Sequence, residues 1–109
     1  MATVCINLVT VSNVGGIAGP LVNMPVMSGA QIATETITSS GTSQATTATS
    51  TQNSRAEFWD IVVSGGNVRL AFAASPTAAA DSGWLILDGE RVQFGASGSG
   101  ERVAVIDAS

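Results

Sequence analysis

The chain contains no histidine, no lysine and no tyrosine. Without His there is no Ser-His-Asp or Cys-His catalysis, and the commonest neutral metal ligand is missing. Without Lys there is no Schiff-base amine and no phosphate-loop lysine. The one cysteine, Cys5, can form neither an internal disulfide nor a cysteine-based zinc site, and a small buried strand residue is the reading its chemistry favours.

Positive charge is equally scarce. Four arginines stand against eight acidic residues, and the first of them is Arg55. That leaves no electrostatic footprint for nucleic acid or for an anionic membrane. A secretory signal needs a basic region before its apolar run, and no basic side chain precedes Arg55. The apolar stretches Val4 to Val11 and Gly19 to Met27 are interrupted by Asn7, Thr10, Ser12, Pro20, Asn23 and Pro25, well short of the roughly 20 apolar residues of a membrane span. The expectation is synthesis in the cytoplasm and no membrane crossing by the chain's own instruction.

What remains is 109 residues, 45% of them hydrophobic and only 11% charged, with 24 Ser and Thr. That is one domain's worth of chain, able to bury roughly 65% of its unfolded surface without metal or disulfide. Helical signal is confined to the Ala-rich stretch Pro76 to Asp81, too short to stand alone, which reads as a loop. Elsewhere apolar alternation, β-branched residues and frequent Gly, Ser and Asn indicate an all-β fold. The expected architecture is a single antiparallel β-sandwich or jelly-roll-like barrel of about eight strands, with residues 29–109 as the sandwich and 1–28 as an extended N-terminal arm.

Thr3 to Val11 and Gln31 to Ser39 read as strands, and Val14 to Ser28 as an extended edge or arm punctuated by Gly, Pro and Met. Thr42 to Thr51 is almost pure Thr, Ser, Ala and Gln, and Thr favours a polar strand there over a flexible linker. Ala56 to Ser64 and Asn67 to Ala73 are joined by Ser64-Gly65-Gly66-Asn67, and Gly83 to Leu87 and Glu90 to Phe94 by Asp88-Gly89. Both junctions carry the residues of tight hairpin turns, so each predicts an antiparallel pair. A last strand follows at Glu101 to Asp107.

Several strands have apolar side chains on both faces. Trp59, Ile61 and Val63 alternate with Phe58 and Val62, and Trp84 and Ile86 with Leu85 and Leu87. A lone antiparallel sheet keeps one face polar, so these strands ask for cover on both sides, from long loops or from a subunit interface. The shortage of other chain to supply it favours the interface, with Phe58, Trp59 and Trp84 as anchors.

No motif carries chemistry. Gly95 to Gly100 is glycine-rich but leads into a strand, with no helix N-terminus to hold a phosphate. Asp88 and Glu90 flank a turn glycine, Glu57 and Asp60 fall on opposite faces of one strand, and Glu90-Arg91 and Glu101-Arg102 read as ion pairs. Trp59-Asp60 has no repeat around it. The expectation is a protein that is not an enzyme, with no cofactor, no metal and no small-molecule substrate.

The runs Val68-Arg69-Leu70-Ala71-Phe72, Ala74-Ser75-Pro76-Thr77-Ala78, Trp84-Leu85-Ile86-Leu87-Asp88-Gly89-Glu90-Arg91-Val92-Gln93-Phe94 and Gly100-Glu101-Arg102-Val103-Ala104-Val105-Ile106 occur in that order. Together they resemble the small β-sandwich virion proteins of tailed bacteriophages, over residues 56–107, about half the chain. The resemblance implies a head decoration, or cement, protein on the capsid surface that bridges major capsid subunits and associates with itself as a trimer or ring. Head-fibre and tail components are the alternatives, and a carbohydrate- or receptor-binding module using Trp59 or Trp84 is a further one. The clamping arm would then be Ala2 to Met27, with Val14, Ile17, Leu21, Val22, Met24 and Met27 as its apolar anchors.

Overall fold

The computed structural model describes residues 1–15, 23–51, 57–96 and 99–108, with residues 11–15 and 23–30 described through their backbone. Eight strands, and no helix among these residues, form two antiparallel four-stranded sheets packed face to face. They are β1 (Thr3–Gly15), β2 (Asn23–Thr38), β3 (Gln44–Ala45), β4 (Glu57–Ser64), β5 (Val68–Ala73), β6 (Trp84–Ile86), β7 (Arg91–Gly95) and β8 (Arg102–Asp107). One sheet has the order β2-β1-β4-β7 and the other β3-β8-β5-β6. The all-β sandwich expected from the sequence is the fold observed.

Period-two alternation builds the core. Val4, Ile6 and Leu8 of β1, Trp59, Ile61 and Val63 of β4, Val68 and Leu70 of β5 and Val103 and Val105 of β8 meet between the sheets, each at most 1% exposed. Each such aliphatic side chain contributes roughly 1.5–3 kcal/mol on burial. Trp59 also places its indole Nε1 on Glu101 Oε1 at 2.8 Å, which meets the polar need of a buried Trp. The N-terminus closes one end of this core: Ala2 N donates to Ser39 Oγ at 2.7 Å, Ser39 Oγ donates to Asp107, and the Met1 ammonium lies 3.4 Å from Asp107 Oδ2.

The two glycine turns do not make hairpins. β4 pairs with β1 and β7, while β5 pairs with β6 and β8, so Gly65-Gly66 carries the chain from one sheet to the other. Asp88-Gly89 carries it back, from β6 to β7. The turns lie side by side and hold each other. Gly65 N donates to Asp88 Oδ1 at 2.8 Å, Asp88 N donates to Asn67 Oδ1 at 2.9 Å, and Gly89 N donates to Val63 O at 2.9 Å. Turn residues fix a local change of direction, and these hydrogen bonds decide where the strand beyond goes.

The Thr/Ser segment departs from expectation too. Only Gln44–Ala45 is strand, against β8, and the rest is an irregular strap fastened by carboxylates. Glu35 accepts Thr47 N and Ala48 N at 3.0 and 3.1 Å, and Glu57 accepts Thr51 N at 2.8 Å and the Thr51 hydroxyl. Thr46 Oγ1 accepts Val103 N at 3.2 Å and donates to Ala48 O at 2.9 Å. These bonds give the backbone an alternative to a ladder, which is the habit of Thr and Ser in irregular segments.

Cover for the outer faces comes from different sources. Over the β3-β8-β5-β6 sheet the Ala-rich loop supplies it: Ala78 is buried against Ala104 and Ile106, with Ala71 and Ala80 beside them, and Ala78 N donates to Ser43 Oγ at 2.9 Å. The outer face of the other sheet is largely polar. It includes Thr34, Thr36 and Thr38, Asn7, Gln93 and Cys5, whose exposed side chain corrects the buried placement expected for it. The surplus apolar surface inferred from sequence is thus covered in part by the chain itself.

Candidate functional site

Two features rise above a closed sandwich. The first is the β1–β2 hairpin. β1 pairs with β4 only as far as Thr10, opposite Glu57, whereas its pairing with β2 continues through Val11↔Met27, Ser12↔Val26, Asn13↔Pro25, Val14↔Met24 and Gly15↔Asn23. At about 3.4 Å per residue, those five residues of β1 carry a two-stranded ribbon roughly 17 Å past the last contact with β4. The molecule measures 51 × 27 × 22 Å and exposes 6085 Å², above the roughly 5,600 Å² of a compact chain of this mass. From Met1 to Thr34 the sequence carries no charged side chain, so the ribbon is neutral throughout.

This geometry narrows the arm drawn from the sequence. Ala2 to Thr10 belongs to the body, where Ala2, Val4, Ile6, Leu8, Val9 and Thr10 are buried. The projecting part starts at Val11. Val14, Met24 and Met27 stand at register positions on it, and Ile17, Leu21 and Val22 lie outside the described residues.

The second feature is the side of the sandwich where edge strands β6 and β7 run above one another. Trp84 is 58% exposed, Leu85 44% and Leu87 48%. The Trp84 ring leans on Phe94 at 5.1 Å between centroids, and Phe94 on Phe72 at 4.9 Å, both tilted as aromatic pairs prefer. The three rings form a stepped aromatic surface with its outermost step in solvent.

The anchors expected from sequence therefore separate. Trp84 reaches the surface. Trp59 is 0% exposed in central strand β4 and has no atom free for a partner, which corrects its placement as an interface anchor. Phe58 is half-buried on the outer face of β4, near an interstrand ion pair on that face. There Arg91 grips Asp60 through Nε–Oδ1 at 2.9 Å and Nη2–Oδ2 at 2.6 Å. The hydrogen bond and the charge of Asp60 together hold the Arg91 guanidinium above its ordinary range. This pairing is bidentate and shields a carboxylate that is itself only 1% exposed. The sequence pointed to an ion pair at Glu90-Arg91; the actual partner is Asp60 on the neighbouring strand, two register positions from Val62, which faces Arg91.

Among the described residues no set of three or more His, Cys, Asp or Glu is placed to hold a metal ion. The buried carboxylates Glu57 and Glu101 are engaged with the Thr51 backbone and hydroxyl and with the Trp59 indole. No helix among the described residues is long and apolar enough to cross a membrane.

No family model, no curated protein and no solved structure matches this chain.

Proposed function

We propose that this protein works by binding, as a structural virion protein of a tailed bacteriophage, a head decoration protein that bridges major capsid subunits. The observation that supports this reading is the neutral ribbon of residues 11–15 and 23–27, which runs past the sheet that carries it. An isolated two-stranded ribbon is marginal in water. Laid along a capsid surface it would gain a packed face and add buried area across a joint between subunits. Specific contacts need roughly 1,200–2,000 Å² in total, and symmetric repetition over a shell multiplies modest ones.

The test replaces Ser12–Val26 by an Asn-Gly turn, which closes the hairpin where β4 ends. Thr3 to Thr10 keep their pairing with β4 and their alternate side chains in the core, so the shortened chain should fold and melt within a few degrees of the full one. Cosedimentation with purified heads of the phage that encodes it should show full occupancy for the intact chain and none for the shortened one. Equal occupancy of the two would remove the arm from the reading, and absence of the intact protein from purified particles would end the reading itself.

Trp84 supports a second reading, a carbohydrate- or receptor-binding module, because a ring 58% exposed offers a flat apolar face. With Trp59 enclosed, a change in tryptophan emission on glycan titration would report Trp84. Under this second reading the emission of Trp84→Phe is unresponsive; under the first, neither chain responds.

A further inference from the structure

Four strands end the two sheets: β2 and β7 in one, β3 and β6 in the other. An exposed edge invites pairing with another chain unless charge, proline, a bulge or extreme shortness blocks it. β2 holds Pro25 and is irregular in register opposite Leu8 to Val11, β7 carries Arg91, and β3 has two residues. β6 is itself short, at three residues, but it carries no charge, no proline and no irregularity against β5, and the apolar sequence continues to Leu87. It also presents Trp84, Leu85 and Leu87 to solvent.

Charge decides what fits this edge. Arg69, the register partner of Leu85, sends Nη1 to Gly83 O at 3.0 Å, and its Nε is buried without a hydrogen-bond partner. Among the described residues no carboxylate pairs with it. The start of β6 is therefore positive. Its far end is negative: Glu90, exposed, accepts Leu87 N at 2.7 Å, and Asp88 lies in the same turn. An antiparallel second copy of β6 with Leu85 facing Leu85 sets Gly83 opposite the partner's Leu87, which brings Arg69 towards the partner's Glu90. The two-fold axis repeats the contact in the other direction. A patch apolar at its centre and opposite in sign at its two ends is what a self-complementary interface requires.

We infer that β6 pairs with β6 of a second copy about a two-fold axis at Leu85, joining two four-stranded sheets into one continuous sheet. The product is a dimer, where the resemblance implied a trimer or ring. It uses the side of the sandwich opposite β2, so the hairpins of both copies stay free. The inference stands apart from the virion reading, since nothing in it depends on a capsid.

Sedimentation velocity and native mass spectrometry of the full chain across the micromolar range test it. The expected result is a concentration-dependent species of twice the 10.9 kDa chain mass. Leu85→Lys should weaken it about thirtyfold, the loss that follows removal of a central hot-spot side chain. Arg69→Glu and Glu90→Arg should each weaken it, and the two together should restore it to within a few fold. Circular dichroism keeps folded variants apart from unfolded ones. A monomer at every concentration, a trimer or larger ring, a dimer indifferent to Leu85→Lys, or a folded charge-swapped chain no better than the single variants would each overturn it.

Discussion

Trp59→Ala is expected to remove roughly 3–5 kcal/mol of folding stability, the range for truncating a buried aromatic. A domain of this kind holds about 5–15 kcal/mol in all, so the variant should sit near the edge of folding at ambient temperature. The loss has two parts. The ring is fully enclosed between the sheets in the central strand β4, and its removal leaves a cavity that neighbours held in ladders cannot fill. It also takes the indole N–H from Glu101, which is 7% exposed. Trp59→Phe separates the parts, because most of the area returns and the N–H does not; its cost should fall in the range of one lost buried hydrogen bond, about 1–3 kcal/mol. Urea unfolding followed by circular dichroism gives both numbers. A Trp59→Ala midpoint equal to that of the native chain would place the ring outside the core and contradict a sandwich packed around β4.

A graded series at glycine carries the second large effect. Gly83 has φ +90°, and a Cβ built there would stand 2.9 Å from the carbonyl oxygen of Leu70. Gly89 has a similar φ of +85° with nothing within 4 Å, and Gly41 has open space and no positive φ. Gly89→Ala should therefore cost only the left-handed backbone, about 1–2 kcal/mol. Gly83→Ala adds a collision with backbone that cannot rotate away, and should exceed it by about another 1–2 kcal/mol. Gly41→Ala should be neutral or stabilise by up to about 1 kcal/mol, because it narrows the unfolded ensemble. The order of the three thermal midpoints is the check. Equal losses at Gly83 and Gly89 would show that β6 can move off β5 without penalty, which would also weaken β6 as a firm edge for a second copy.

Alternation in the sequence made the strands and their inner faces legible. Val68 and Leu70, Ile61 and Val63, and Val103 and Val105 all point where period two puts them. Partners were not legible, because alternation states which side of a strand is apolar and says nothing about which strand lies beside it. Ser64-Gly65-Gly66-Asn67 and Asp88-Gly89 have the composition of hairpin turns, yet each connects strands of different sheets. The deciding contacts, Gly65 to Asp88 and Asp88 to Asn67, join residues more than twenty positions apart.

The same limit separates the two tryptophans. Trp59 and Trp84 sit in similar apolar runs, but one strand is central and the other terminal, and only strand order tells them apart. The Thr/Ser segment departs from a strand for another reason: its hydrogen bonds go to Glu35, Glu57 and the β8 backbone, most of them distant in sequence. Of the arm, the neutral and apolar composition was visible. The point at which it leaves the body was not, since that depends on where β4 ends against Thr10.

The strand order has a consequence for how the chain reaches this state. Of the six strand pairs among the described residues only β1–β2 and β5–β6 join neighbours along the sequence. The other four must wait for distant segments to meet, and topologies of that kind fold in milliseconds to seconds, where helical bundles take microseconds. During that delay the apolar stretches of β4 and β8, Trp59 to Val63 and Val103 to Ile106, which end up largely buried, are unshielded on a nascent chain. Slow assembly, and misassociation that rises with synthesis rate and temperature, follow from the same crossing connections that lock the finished sandwich.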